Sequence, residues 1–153
     1  VRPRPPRRLR PSISHSGGRA LCALGPEGVT VGADIEAVAA RGEQFARDYF
    51  TAGERALVAA APADGRDALV TAIWSAKEAA LKALRLGLTV DTRLVECLVP
   101  PPAGGAGPTA WAPFTVACHP SLAVAPAAMR GWWRADGQFI ITIAALGPGA
   151  TAV

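Results

Sequence analysis

Cysteine, long apolar runs and nucleotide-binding glycine motifs are scarce or missing in this chain, and each shortage narrows what it does. Only three cysteines are present, Cys22, Cys97 and Cys118, widely spaced and without a C-x-x-C pair. That count argues against a zinc site or a disulfide framework. No apolar run reaches the ~18 to 20 residues that a membrane helix needs, and the Arg/Pro-rich start lacks the apolar stretch of a secretory signal. No membrane contact and a cytoplasmic location are therefore expected. There is no G-x-G-x-x-G, no P-loop and no internal repeat. Charge is thin at 18% of residues and unevenly placed: Arg2, Arg4, Arg7, Arg8 and Arg10 crowd the first ten positions. The other eleven basic residues face twelve acidic ones, so the rest of the chain is close to neutral. A nucleic-acid-binding face spread over the fold is not expected, although a basic arm alone could touch phosphate.

What remains is a chain of 153 residues, half of them apolar, which fits one domain with a substantial core. Residues 1–11 read as an Arg/Pro-rich lead-in or linker remnant, 12–147 as the folded domain and 148–153 as a flexible tail. The first residue is Val, from which a fragment or a processed product is expected. Residues 19–24 and 28–36 read as strands around the turn-rich Gly25-Pro26-Glu27. Residues 42–50 carry Phe45, Tyr49 and Phe50 at helical spacing, with Tyr49 and Phe50 expected in the core. Thr51-Ala-Gly-Glu54 has the form of a capping box opening a short helix before Pro62. The longest helix is expected over 66–86, with Leu69, Ile73, Ala76, Ala80 and Leu84 on one stripe. Strands follow at 93–99, 111–118, 129–135 and 138–145, with a Pro/Gly loop at 100–108 and a hairpin turn at Asp136-Gly137. Strands, then helices, then strands point to an α+β fold with a largely antiparallel sheet packed against helices.

Two stretches carry the chemistry, Val31-Gly-Ala-Asp34-Ile-Glu36 and Trp74-Ser-Ala-Lys77-Glu78-Ala-Ala-Leu-Lys82. On a strand, Asp34 and Glu36 share a face; on a helix, Glu78 and Lys82 share one too, nearly opposite the apolar stripe. They therefore face solvent or line a cleft. Three carboxylates beside a lysine suit magnesium and a phosphate ester. The bland alternatives are a polar strand edge for Asp34 and Glu36, a surface ion pair for Glu78 and Lys82, and a solvated flank for Lys77. Like charges side by side repel, and a bound cation relieves that cost. Ser12-Ile-Ser14-His15-Ser16-Gly17-Gly18 offers hydroxyls, an imidazole and free amides, a phosphate cradle on one reading and a polar turn on the other. Glu54 reads as a capping residue. Trp132 and Trp133 must face opposite sides of a strand, one buried and the other partly exposed.

In order along the chain, Ser-Ile-Ser-His-Ser at 12–16, Val-Gly-Ala-Asp-Ile-Glu at 31–36, Tyr-Phe-x-x-x-Glu at 49–54 and Trp-Ser-Ala-Lys-Glu-Ala-Ala-Leu-Lys at 74–82 resemble the 4'-phosphopantetheinyl transferase superfamily. With Ser14-His15 ahead of Asp34, the order is similar to the larger, pseudo-dimeric members, of which this chain resembles the C-terminal half. The resemblance implies magnesium-dependent transfer of the phosphopantetheine arm from coenzyme A to a serine of an acyl or peptidyl carrier protein, releasing adenosine 3',5'-bisphosphate. It implies Asp34, Glu36 and Glu78 as magnesium ligands, and Glu78 also as the base for the serine proton. Lys82 would contact the phosphates and stabilise the leaving group, Ser14 and His15 would grip coenzyme A, and Lys77 would assist. The segment between Glu36 and Trp74, including Phe50 and Leu57, would dock the carrier helix. The missing-half surface implies self-association or a remnant that binds coenzyme A or carrier without catalysis, and an Arg-tailed nucleic-acid binder is the third reading.

Overall fold

The Asp136-Gly137 turn sets the centre of the sheet. Gly137 takes φ +61°, and the strands it joins, β6 (Met129–Asp136) and β7 (Phe139–Leu146), pair antiparallel with Asp136 opposite Phe139. On the other side of β7 lies β3 (Thr30–Ala37), with Asp34 opposite Thr142 and Glu36 opposite Ile140. Beyond β6 come β5 (Ala112–Cys118) and β4 (Val95–Leu98), so the five strands run β3-β7-β6-β5-β4, all antiparallel. This computed structural model describes residues 10–101, 107–125 and 128–147. The lead-in to residue 9, the middle of the 100–108 loop and the tail from 148 lie outside the described residues. The α+β architecture expected from the strand–helix–strand order is present. Among the described residues no helix is long and apolar enough to cross a membrane.

One helix fills the inner face. α3 (Arg66–Ala83) packs chiefly on β3 and β7, and every residue from Ala68 to Ala83 is buried except Glu78 and Lys82. The expected stripe is therefore part of a helix covered almost all round. Close approach explains the many alanines: a Cβ built on Gly32 of β3 would lie 1.8 Å from the Ala79 carbonyl oxygen and 2.5 Å from the Ala83 nitrogen. Strand backbone rests directly on helix backbone there. The helix stops at Ala83, three residues short of expectation, because Arg85 and Gly87 turn left-handed at φ +60° and +56° and the Leu86 and Gly87 amides fold back onto the Leu81 carbonyl.

Two short helices precede it. α1 (Glu43–Tyr49) brings Phe45 and Tyr49 against Trp74, ring centroids 5.1 and 5.2 Å apart, and Phe50 beyond it is 1% exposed. Tyr49 departs from its expected core position, at 40% exposure. α2 (Ala52–Ala60) opens on the expected capping box, with Thr51 Oγ1 accepting from the Glu54 amide and Glu54 accepting from the Thr51 amide. Trp133 is buried and Trp132 half-buried, as alternation requires.

A second, smaller sheet covers the edge of β3. Residues 12–16 are no polar turn: they form β1 (Ser12–Ser16), which pairs antiparallel with β2 (Arg19–Ala23) as a separate two-stranded sheet. The strands flanking Gly25-Pro26-Glu27 consequently pair with other partners and not with each other. The cause is a ladder of hydroxyls. Ser12, Ser14 and Ser16 Oγ accept from the amides of Ala33, Ile35 and Ala37 at 2.8, 3.3 and 3.1 Å, which closes the open edge of β3 with side chains in place of a strand.

Candidate active site

β3 and α3 each supply two polar groups to one place. Asp34 and Glu36 point from β3 toward α3, whose two unburied inner residues are Glu78 and Lys82. The Lys82 ammonium stands 2.8 Å from Asp34 Oδ1, 3.7 Å from Glu78 Oε2 and 3.2 Å from the Ala33 carbonyl oxygen. So the cleft reading of Glu78 and Lys82 holds, and the helix does not present them as a plain surface pair.

Asp34 is almost wholly buried and fully partnered. Ser14 Oγ donates to its Oδ1 at 2.7 Å and Ser75 Oγ to its Oδ2 at 2.8 Å, with Thr142 bonded to Ser75 behind it. Glu36 is half-buried beside Arg41, whose Nη2 is 3.5 Å from its Oε2. Burial raises the Glu36 pKa, the Asp34 charge adds to that, and Arg41 opposes both. Glu78 is pushed further, to about 7, by burial first and then by the Asp34 charge, against the pull of Lys82. Three acids thus share two cations, and burial together with the Asp34 charge lets Glu78 keep its proton up to near-neutral pH.

These acids do not form a ligand cage as placed. Among the described residues no three His, Cys, Asp or Glu side chains are grouped so as to hold a metal ion. Lys82 pairs with both Asp34 and Glu78, and Glu36 turns to Arg41. The donor set is nevertheless all hard carboxylate oxygen with unneutralised charge, the chemistry that magnesium fits.

Three expectations need correction. Lys77 neither grips phosphate nor forms a solvated flank: it is fully buried, with Nζ 2.8 Å from both oxygens of Glu54 and bonded to the Val95 carbonyl. Glu54 in turn accepts from the Cys97 amide at 2.7 Å, so the ion pair closes the β4 edge of the sheet. Ser14 and His15 do not act side by side, since strand alternation sends Ser14 to Asp34 and leaves His15 exposed on the opposite face. Phe50 is buried and offers nothing to a docking partner, whereas Leu57 is half-buried.

Sequence reasoning passed over Ser75, Thr142 and Arg41. No spacing signal marks them, because each reaches the site from a different element. The ladder had a signal: three serines at a period of two describe one face of a strand. A cavity of about 900 Å³ meets the acidic cluster at Lys82, and its lining also includes Arg85, Arg10, Ile13 and the loop around Gly25 and Gly28.

The family model of the 4'-phosphopantetheinyl transferase superfamily matches residues 30–144, from the start of β3 into β7, and so takes in the whole acidic cluster. No curated protein matches the chain significantly.

Proposed function

Because this chain belongs to the 4'-phosphopantetheinyl transferase superfamily, we propose that it moves the phosphopantetheine arm of coenzyme A to a serine hydroxyl of an acyl or peptidyl carrier protein and releases adenosine 3',5'-bisphosphate. The observation that carries this reading is Lys82, joined to Asp34 and Glu78 on one side and lining the cavity on the other. Acid, cation and a volume for the nucleotide meet at one side chain.

The serine oxygen forms a bond to the phosphorus that carries the arm, and the bond from that phosphorus to the bridging oxygen breaks. The serine proton passes to Glu78, whose pKa near 7 suits a base at neutral pH. Lys82 donates to the phosphate oxygens as charge grows on the leaving group. Asp34, Glu36 and Glu78 are the residues that would hold magnesium, which supplies Lewis-acid neutralisation of the diphosphate when bound. His15 shares its strand face with Ile13 of the cavity wall and supplies a further phosphate donor. Ser14 serves by fixing Asp34 and not by touching coenzyme A directly. Tyr49 and Leu57 offer apolar surface to the carrier helix.

Incubation with apo carrier protein, coenzyme A and magnesium, followed by intact-mass measurement of the carrier, tests the reading. The carrier should gain the mass of the arm, and Glu78→Ala should abolish that gain. Coenzyme A binding without any transfer would replace the enzyme with a binding remnant.

A further inference from the structure

Arg41, in the loop between β3 and α1, is a basic group beside the acids that the transfer step leaves unused. Neutral partners anchor its guanidinium from two sides: Nη1 donates to the Thr71 hydroxyl at 2.9 Å, and the centre of the Phe45 ring lies 5.2 Å from its Cζ. Thr71 is fully buried on α3, so this anchor belongs to the core, and the Arg41 side chain is only 17% exposed. The approach to Glu36 is looser, with Nη2 3.5 Å from Oε2, beyond the ~2.7 to 2.9 Å of a tight charge-assisted bond. A cation fastened by Thr71 and Phe45 keeps its place when Glu36 turns elsewhere.

Thr71, Ser75, Glu78 and Lys82 recur at helical spacing and so share one side of α3. Arg41 bonds to the Thr71 end of that line, and Lys82 at the other end pairs with Asp34 and Glu78. Asp34 and Glu36 repel each other across one strand face, and each has a positive partner of its own, Lys82 for the first and Arg41 for the second. We infer that Arg41 is a positioning residue acting through Glu36: it is the counter-ion that keeps this carboxylate until a divalent cation takes it, and it thereby sets how tightly the cluster holds that cation. The inference rests on the reading of Asp34, Glu36 and Glu78 as magnesium ligands. An arginine that only fastened the loop to α3 would leave cation affinity unchanged or weakened on its removal. A competing charge does the opposite, since its loss makes the cluster bind more tightly.

Calorimetric titration with manganese(II), which favours the same carboxylate oxygens as magnesium, tests it on the parent, Arg41→Gln and Arg41→Lys. Thermal melts in buffer free of divalent ions check that each variant folds. Arg41→Gln should bind manganese about 3- to 30-fold more tightly than the parent, and Arg41→Lys, which restores the charge, should bind within about threefold of it. Saturating manganese should also raise the melting temperature of Arg41→Gln more than that of the parent. Should Arg41→Gln not fold, Arg41→Met, whose apolar stem keeps the contact with Phe45, carries the same expectation; failure of both to fold makes Arg41 a structural fastener and overturns the inference. Unchanged or weaker binding by the uncharged variant overturns it too, as does equal tightening in Arg41→Lys. A parent that binds no manganese sinks the magnesium reading and this inference together. A parent and variants that bind in the expected pattern but never modify a carrier sink the transferase reading and leave Arg41 in its role; a parent that transfers the arm while Arg41→Gln binds manganese as it does would do the reverse.

Discussion

Ser75 Oγ lies 2.8 Å from Asp34 Oδ2 and 2.8 Å from Thr142 Oγ1, so a strand residue, a helix residue and a residue of the neighbouring strand form one buried chain that ends on a carboxylate. Thr142 also reaches the Ser75 carbonyl at 2.9 Å, which fixes the helix turn from which Ser75 projects. Ser75→Ala would leave one oxygen of a buried carboxylate without its donor. A loss of about 1 to 3 kcal/mol in urea unfolding is expected, together with slower arm transfer. Unchanged stability would show that Asp34 does not depend on this bond.

Gly32 marks where β3 lies on α3. A methyl group there meets helix backbone, which cannot rotate away as a side chain could. Gly32→Ala should therefore cost about 3 kcal/mol or more, seen as a marked fall in the melting temperature. A variant that melts with the parent would refute the contact.

The two lysines of α3 should respond in opposite ways. Lys77→Met strands a buried Glu54 and leaves the Val95 carbonyl of β4 without its ammonium donor, at a cost of about 3 to 5 kcal/mol. Lys82→Met removes a part-exposed ammonium, so the fold should survive while transfer is lost. Thermal melts and carrier mass measured on both variants decide this, and a stable but inactive Lys77→Met would return Lys77 to the site.

Glu78 gives the acidic cluster a pH signature. Its pKa rises from the ordinary 4.5 to about 7 on folding, so the folded chain holds that proton more tightly than the unfolded one. The associated stability is fully present below pH 4.5 and is lost as pH rises toward 7. In buffer free of divalent ions, Glu78→Gln should remove this decline between those two values. Parallel unfolding curves of parent and variant across the window would contradict the buried, crowded environment assigned to Glu78.

Local spacing was enough to read most of the elements and which of their residues share a face. Period two placed Asp34 beside Glu36, period 3.6 placed Glu78 beside Lys82, the capping box opened α2, and Asp136-Gly137 turned the last hairpin. All of these depend on neighbours within about four residues, where covalent geometry decides. Tertiary structure alone decided which face met which. It buried Lys77 with Glu54 where spacing suggested a solvated flank, split Ser14 from His15, and made a strand of 12–16 because three hydroxyls found the bare amides of β3. It also gathered Ser75, Thr142 and Arg41 around acids far from them in the chain. Removing such polar groups from water is costly unless a distant segment supplies the partner, and no local period records that balance.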